Sequence, residues 1–548
     1  MPVFPRYPGP GGDRLLQALT RLVTGRQMAR IDRRAIEGGI PGTKLMQAAG
    51  EGVFQVLESA AKDLSGCRIV ILCGKGNNGG DGFVVGNLAN RAGASVTLFL
   101  FAKAAHIEGD AAHHLSETIQ QGLVVNQVQT KSDLKQISRA LSKADFVIDA
   151  LIGTGLRGSP RRLVAETIEE VNQAVCPVIS VDVPSGMNAQ EGTCPGPCIN
   201  ASHTVTFALP KLGHFFQPGR SHCGKIHLSD IGISDEDVEA EKVGTSLIAP
   251  WGAASLLPKR APDAHKGDCG RIVIIAGSQG LTGAASLAGQ AATKVGAGLV
   301  TVGVPESLND ILEIKLTEAM TRPLPEVRKA RCLSLRARGQ IQDLIHSADC
   351  VAIGPGLGRH RETEALVRRL LKDVRIPLIL DADALNALSG DAGCLKGLEA
   401  PTIVTPHPGE FSRLTGVDPD RISPNPLEET RELAESCGIT VVLKGAPTLI
   451  ASPDGSVYVN PSGNAGMATG GTGDVLTGLL ASLIGQGLDT LGAAQLGTYL
   501  HGLAGDLAAE KLGQMGLTAS DIVANLPVAE QMIRKLEDRN LYLKTDLN

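Results

Sequence analysis

Two glycine-rich runs carry the residue types that hold anions. GKGNNGGDG covers Gly74–Gly82 after the apolar run Arg68–Cys73, and NAGMATGGTGD covers Asn464–Asp474 before the apolar stretch Val475–Leu483. Each falls where a strand or loop hands over to a helix. There, unpaired backbone N–H groups and the positive helix end attract phosphate. Glycine admits positive φ and lets a ligand approach the main chain. Two unlike runs so far apart imply two reactions on phosphate-bearing molecules in one polypeptide.

Around the first run, DALIGTGLRG (Asp149–Gly158) and DVPSG (Asp182–Gly186) each end a predicted strand in an aspartate. In open parallel sheets that edge binds ligands. Gly153–Gly158 offers a second backbone cradle, with Arg157 available for phosphate. Asn78, Asp149 and Ser185 supply oxygen ligands from three strand ends, a set suited to a hard cation. Asp81, inside the first loop, would repel phosphate unless it met a sugar hydroxyl or a cation. Taken singly, a strand-end aspartate is more often a cap or turn residue, and a tight Gly/Asn turn is the lesser reading of GNNGG. Their combination with a glycine cradle points to a site.

The second half contains KGDCGR (Lys266–Arg271), GSQGLTGAASLA (Gly277–Ala288), GPGLG (Gly354–Gly358), DADALN (Asp381–Asn386), TPHPGE (Thr405–Glu410) and LKGAPT (Leu443–Thr448). Gly470, Gly471 and Gly473 can present amides to a transferring phosphoryl group, whose chemistry is mostly positioning and charge stabilisation. Asp474, at the helix start, can take the proton of the attacking hydroxyl; as an isolated residue it would read as an N-cap. Asp381, Asp383 and Glu410 are candidates for supporting a metal, or for turns and caps. His407, between two prolines, suits a ligand wall. His501, in TYLHG, reads as packing.

The elements that must position these residues follow α/β alternation. Asp13–Glu37 and Lys44–Lys62 read as helices. Strand Arg68–Cys73, helix Phe83–Arg91 and strand Ser95–Phe101 form a βαβ unit, followed by strands Phe146–Leu151 and Val178–Val183. A second series runs through Arg271–Ala276, Gly298–Val304, Cys350–Ile353, Leu378–Leu380, Thr402–Val404 and Thr440–Leu443. Thr448–Val459 reads as an edge hairpin, and charged Pro323–Arg338 as a surface loop or helix. The pattern predicts parallel sheets covered on both faces. The acidic stretch SDEDVEAEK near Ser234–Lys242 marks a linker. The expected domains are residues 1–235 and 248–537, with a linker at 236–247 and a tail at 538–548.

Composition sets the bounds. A chain of 548 residues exceeds a single core. Its 66 glycines are 12% of the residues against about 7% in an ordinary protein, an excess that points to turns and ligand loops. The net charge of −5 is spread along the chain, and one Trp, four Tyr and ten Phe make poor base-stacking platforms, so nucleic-acid binding is not expected. The eleven cysteines are odd in number and scattered. Cys194 and Cys198 are the close pair, but no second pair or histidine cluster follows at zinc spacing, so reduced thiols are expected. The absence of a signal sequence and of a long apolar run leads to the expectation of a soluble, cytoplasmic protein.

GNNGGDG, DALIGTGLRG, DVPSG and LMQAAG (Leu45–Gly50) resemble the NAD(P)H-hydrate epimerase family over about Leu16–Ile233. That resemblance implies a Rossmann-like three-layer α/β/α sandwich and a bound K⁺ on Asn78, Asp149 and Ser185. It also implies nucleotide contacts from Asn77, Asn78, Gly79, Gly80 and Asp81, from Gly153, Thr154, Gly155, Leu156, Arg157, Gly158 and Ser159, and from Asp182. DADALN, TPHPGE and NAGMATGGTGD resemble the ribokinase-like superfamily, and within it the ADP- or ATP-dependent NAD(P)H-hydrate dehydratases, over about Ile248–Arg534. By that resemblance Lys444, Gly445, Ala446, Pro447, Thr448 and Gly473 would hold the adenine nucleotide. Ala284, Gly358, His407 and Asp474 would contact the hydrated substrate, with Mg²⁺ bridging phosphate oxygens. The combination implies a two-activity repair enzyme for hydrated NADH and NADPH, and a homo-oligomer. The epimerase carboxylate is Asp149 or Asp182, and both stay open here, as does ADP against ATP. Two rival readings are a kinase of a small alcohol and an amino-terminal half that only binds nucleotide.

Overall fold

The computed structural model describes residues 21–422 and 424–545, which divide into two compact units between Thr245 and Ser246. In the first unit, successive side chains of β1 (Arg68–Cys73) leave on opposite faces of the sheet. Ile69, Ile71 and Cys73 enter one apolar cluster with helices Gly42–Ala61, Asn77–Arg91 and Gly109–Gln120, whereas Val70 and Leu72 enter another with helices Lys131–Leu141 and Arg162–Gln173. A strand apolar on both faces has to lie inside a parallel sheet with helices on each side. The sheet contains β1, β2 (Ser95–Leu100), β3 (Val125–Gln127), β4 (Phe146–Ala150), β5 (Val178–Val181), β6 (His203–Phe207) and β7 (Lys225–Ser229), in the order β3-β2-β1-β4-β5-β6-β7. Every pairing is parallel. This is the three-layer arrangement expected.

The second unit is built on a sheet of β8 (Thr245–Leu247), β9 (Arg271–Ile275), β10 (Leu299–Pro305), β11 (Met320–Leu324), β14 (Cys350–Ile353), β15 (Leu378–Leu380), β16 (Thr402–Val404), β17 (Thr440–Leu443), β18 (Thr448–Ala451) and β19 (Val457–Asn460). Their order is β11-β10-β9-β14-β15-β16-β17-β18-β19-β8, and β12 (Glu326–Val327) with β13 (Cys332–Leu333) forms a separate pair. Pairing is parallel from β11 to β17 and antiparallel in β17-β18-β19. Ile272, Ile274, Val300 and Val302 face helices Thr282–Lys294, Thr472–Gly485 and Thr490–Leu512 in one large core. Among the described residues no helix is long and apolar enough to cross a membrane.

Several elements differ from the sequence expectation. Residues 13–20 of the expected first helix lie outside the described residues, and the described helix is Gly25–Glu37. Thr24 stops it by a capping box with Gln27, and Val23 is buried in an extended bridge to Lys211. The helix expected at Phe83 starts six residues earlier, at Asn77, so Gly79, Gly80, Asp81 and Gly82 are helical and buried. These glycines are spacers: a Cβ on Gly79 would overlap the Gly74 carbonyl oxygen, and one on Gly82 would lie 2.8 Å from both Ala150 Cβ and Cys73 Sγ. The acidic stretch read as linker holds a short helix, Asp235–Glu239, capped by Ser234, and Glu241 pairs with Arg30 and Arg34. The segment read as a charged loop or helix from Pro323 instead begins in β11, an edge strand whose exposed face tolerates charge, and continues through β12 and β13. The carboxy-terminal helix, Ala519–Thr545, runs through most of the expected tail, and residues 546–548 lie outside the described residues.

Helices Thr282–Lys294 and Thr472–Gly485 approach closely at Gly478, where a Cβ would meet the Ala288 carbonyl, with its carbon at 2.8 Å. Gly478→Ala should destabilise the second unit by about 1–3 kcal/mol through overpacking. Urea unfolding checks this, and an unchanged midpoint would contradict the packing described.

Candidate active sites

In the first unit the loops after β1, β4 and β5 converge at the carboxyl edge. Asp149, in β4, has no exposed surface. Ser180 Oγ (2.8 Å) and the Ser185 amide (2.8 Å) donate to its Oδ2, and Ser185 Oγ donates to Oδ1. Burial raises its pKa and these hydrogen bonds oppose the rise. No lysine or arginine pairs with it among the described residues. Asn78, on the first turn of helix Asn77–Arg91, abuts Gly153, where a Cβ would lie 3.0 Å from its Oδ1. Its buried amide nitrogen has no partner. A buried carboxylate without a counter-charge, a serine hydroxyl, the Asn78 side-chain oxygen and the Ile152 carbonyl that accepts from Ser185 Oγ (3.2 Å) are oxygen ligands of the kind that fit a hard cation. Of the expected trio, Asp149 and Ser185 are in direct contact, and Asn78 reaches the adjoining loop at Gly153.

Asp182 stands apart from that trio. It ends β5 with φ +64°, in the left-handed region, and its carboxylate is 13% exposed. Lys211 Nζ lies 2.6 Å from its Oδ1, and Thr206 Oγ1 donates to the same oxygen at 2.9 Å. His214 braces the backbone: its Nδ1 accepts from the Lys211 amide (3.2 Å) and its Nε2–H donates to the Asp182 carbonyl (3.0 Å). Burial and Lys211 hold this imidazole neutral, with a pKa lowered to about 4. Two more carboxyls feel the same cation. Burial raises Asp32 to about 6, with Lys211 opposing, and burial with Asp182 and Asp32 raises Asp81 well above the ordinary range. Asp81 is thus a buried helical residue within this cluster, not a loop residue facing phosphate.

Asp32, Lys211 and His214 escaped the sequence reading. The one signal was the polar KLGH after β6, which no spacing rule linked to Asp182. Around the cluster, Gly76 caps the helix without a side-chain bond, leaving the first-turn amides of exposed Asn77 and of Asn78 for an anion. Gly155, Arg157, Gly158 and Ser159 lie exposed on the next loop, with Thr154 and Leu156 partly buried between them.

In the second unit Asp381 is the buried hub, 1% exposed. Its Oδ1 accepts from Thr405 Oγ1 (2.7 Å) and Lys444 Nζ (2.8 Å), and its Oδ2 from Thr477 Oγ1 (2.8 Å). Ala382 beside it has φ +47°. Burial works against the Lys444 charge, but Asp381, Glu410 and Asp474 outweigh it and raise its pKa. Gly473 faces this ammonium, since a Cβ there would sit 3.3 Å from Nζ. Asp474 follows on the same turn, and burial together with Asp381 raises its carboxyl to about 7. Asp383 Oδ2 accepts from the Gly358 amide (2.8 Å), fixing the GPGLG loop, and Gly356 packs on Ala284. Glu410 accepts from the His407 amide (2.9 Å) in a capping box, so the carboxylates considered for metal support are already engaged.

The remaining expected residues divide. His407 is half-exposed and its Nδ1 caps helix Pro408–Thr415 by accepting from Gly409 N (3.0 Å). Lys444 N donates to Pro406 O (2.8 Å), which lays Gly445, Ala446, Pro447 and Thr448 beside the TPHPGE segment. His501 donates from Nε2 to Thr472 O (2.9 Å), and burial lowers its pKa to about 4, consistent with a packing role.

Two α/β units, each with a buried aspartate hub and an unsatisfied helix start at one sheet edge, define an enzyme with two nucleotide-type sites. The family model described as YjeF-related protein N-terminus matches residues 42–213, and that described as NAD(P)H-hydrate dehydratase matches residues 272–528. The bifunctional NAD(P)H-hydrate repair enzyme Nnr of Moorella thermoacetica is 45% identical over 523 residues, covering 94% of this chain and 97% of that protein. The enzyme of the same name from Escherichia coli K12 is 34% identical over 493 residues, covering 89% of each. A crystal structure of the ADP/ATP-dependent NAD(P)H-hydrate dehydratase from Bacillus subtilis, co-crystallised with ATP and Mg²⁺, is 32% identical, covers 52% of this chain and 98% of its own, and has a TM-score of 0.47. The chain belongs to the bifunctional NAD(P)H-hydrate repair enzyme family, with a YjeF-related amino-terminal domain and a carboxy-terminal domain of the NAD(P)H-hydrate dehydratase family.

Lys211→Met would leave Asp182, Asp81 and Asp32 without their shared cation. Removing one partner of a buried charge cluster costs about 3–5 kcal/mol. Carboxyls whose folded pKa is raised bind protons more tightly folded than unfolded, so stability falls as pH rises above about 4. The deficit of the variant should therefore be larger at pH 8 than at pH 5 in urea unfolding; an equal deficit would show that Lys211 does not serve those carboxyls.

Proposed function

We propose that the two sites act in turn on hydrated NADH and NADPH, the first interconverting the R and S epimers at C6 and the second dehydrating the S form at the expense of ADP or ATP. The observation that carries this reading is the pairing of both family domains in one chain, each with a carboxylate poised at its sheet edge.

For epimerisation, Asp182 is the carboxylate that moves the proton. It reaches the surface of its cluster, whereas Asp149 has none of its surface free and spends both oxygens on Ser180 and Ser185. C6 carries a hydroxyl next to the ring nitrogen. Ring opening passes the hydroxyl proton to Asp182 as the C6–N1 bond breaks toward nitrogen, and closure on the other face returns it. Lys211 supplies the counter-charge that steadies Asp182 through both steps. Asn78, Asp149 and Ser185 would hold K⁺, which supplies charge to orient the neighbouring loops. The first-turn amides and Gly153–Ser159 bind phosphate and ribose.

In the second site, hydroxide is a poor leaving group and a phosphate ester a good one. Lys444 and the amides of Gly470–Gly473 hold the donor's phosphates. Asp474 accepts the C6 hydroxyl proton as the phosphoryl group transfers; the C6–O bond then breaks toward phosphate and the C5 proton passes to the departing phosphate, which restores the C5–C6 double bond. Mg²⁺, when bound, neutralises phosphate charge. Ala284, Gly358 and His407 line the substrate side, and Lys444–Thr448 the adenylate side.

Asp182→Asn should lower R-to-S conversion by about 10²–10⁴-fold and leave dehydration of the S form intact, and Asp474→Asn should do the reverse. Chiral chromatography and recovery of NADH absorbance follow the two reactions. A stable phosphorylated product would indicate a kinase of a small alcohol, and a wild-type first domain without epimerase activity would indicate a binding module. Because Asp474 acts unprotonated and its pKa is raised to about 7, the dehydratase kcat/KM should increase with pH through that region. A flat profile from pH 6 to 8 would remove Asp474 as the base.

A further inference from the structure

After Ser185 the first unit makes a long excursion that contains a second chemically distinct cluster. The thiols of Cys194 and Cys198 and the imidazole of His222 offer ligand atoms that all lie within 4.8 Å of one another. His222 Nδ1 is buried and has no hydrogen-bond partner. The other close histidine group differs: on helix Gly109–Gln120, both nitrogens of His114 are already bonded, to Glu117 (2.9 Å) and to Thr43 O (3.2 Å). Two thiols and an imidazole suit a borderline-soft cation and not the oxygen-seeking ions of the catalytic sites. Hydrogen bonding between the thiols lowers the pKa of Cys194, against the effect of burial, and raises that of Cys198.

The scaffold under these ligands is already fixed. Asn172 Nδ2 donates to Cys198 O (2.7 Å), Ile199 N to Ser185 O (2.9 Å), and Ala201 N to His222 O (2.9 Å). Gly186, with φ +107°, lies so close to Pro197 and Cys198 that a Cβ would fall 2.7 Å from Cys198 Cα. The neighbouring Cys223 thiol is already committed to Gly219 O (3.2 Å), which limits the set to three. Cys194 is partly exposed, leaving one side of the cluster open. The sequence reading missed this group because it sought a second pair or a histidine at local spacing. The third ligand arrives from the helix Gly219–His222, on the far side of β6 in sequence.

We infer that Cys194, Cys198 and His222 form a zinc site with three protein ligands and a fourth position left to water. Binding exchanges thiol protons for the metal, so affinity rises with pH. The ion ties the 187–198 excursion to the helix Gly219–His222, and the excursion in turn bonds Ser185 O through Ile199 N and packs Gly196 on Ser159. Its role is to stiffen the first site from behind.

Titration of the reduced full-length protein with Co²⁺, then Zn²⁺, tests this. The expected result is one Co²⁺ per chain with a thiolate-to-cobalt charge-transfer band and tetrahedral visible bands, both erased by Zn²⁺. Oxygen-only sites for K⁺ or Mg²⁺ give no such band. Cys194→Ser, at the partly exposed position, should weaken Zn²⁺ binding by at least about 10-fold with unchanged circular dichroism, and His222→Gln should match it. Co²⁺ binding without the charge-transfer band, or an undiminished band in Cys194→Ser, would overturn the site. So would a Cys194–Cys198 disulfide found by mass spectrometry in protein alkylated at lysis.

Discussion

A carboxylate driven into the interior has to be met by donors from several elements at once, since leaving it unpaired costs several kcal/mol. Asp149 and Asp381 impose that demand at the carboxyl ends of central strands in the two units. Asp381 is met by Lys444 after β17, Thr405 after β16 and Thr477 on the following helix, so four segments are drawn to one point. Asp149 is met by hydroxyls and an amide, with no cation of its own. The glycine-rich loops hang from these hubs; of the carboxylates proposed to react, Asp474 stands within reach of the Asp381 charge and Asp182 keeps a separate cluster around Lys211.

The glycines serve two ends. Some open the backbone to ligands. Others, such as Gly79, Gly82 and Gly478, let a helix lie against a strand or another helix at a distance no side chain permits. The second use explains why GNNGGDG is helical from Asn77 onward: Gly79 lies on the Gly74 carbonyl, Gly80 on Met46 and Ala111, and Gly82 on Ala150 and Cys73, while Asn77 faces outward. Close packing and ligand access are then properties of one helix start.

Much of the fold was legible because strands such as Arg68–Cys73 and Arg271–Ile275 are continuous apolar runs bounded by glycine loops. The edge strands β3, β7 and β11 were not, because partial exposure dilutes their apolar pattern. Asn78, Asp149 and Ser185 could be read from strand ends; the structure bonds Asp149 to Ser185 and sets Asn78 against Gly153 on the adjoining loop. Lys211 and Asp32 could not be read. Each is an unremarkable charged residue until folding buries it beside Asp182, and nothing in its neighbours announces that burial. Asp81 was visible but misplaced, since the helix start was set at Phe83 and not at Asn77.

The bridge between Val23 and Lys211 has a practical side. Val23 N donates to Pro210 O (3.1 Å) and Leu212 N to Val23 O (3.0 Å), so the buried ammonium hangs from a backbone clamped by the segment entering the domain. The region common to the YjeF-related family begins at residue 42 and ends at 213, which excludes Val23, Asp32 and His214. A fragment trimmed to those limits would keep β1 to β6 while losing the edge strand β7, the clamp, one carboxyl and the brace beneath Asp182. The architectural boundary of the domain and the boundary of its working parts are not the same line.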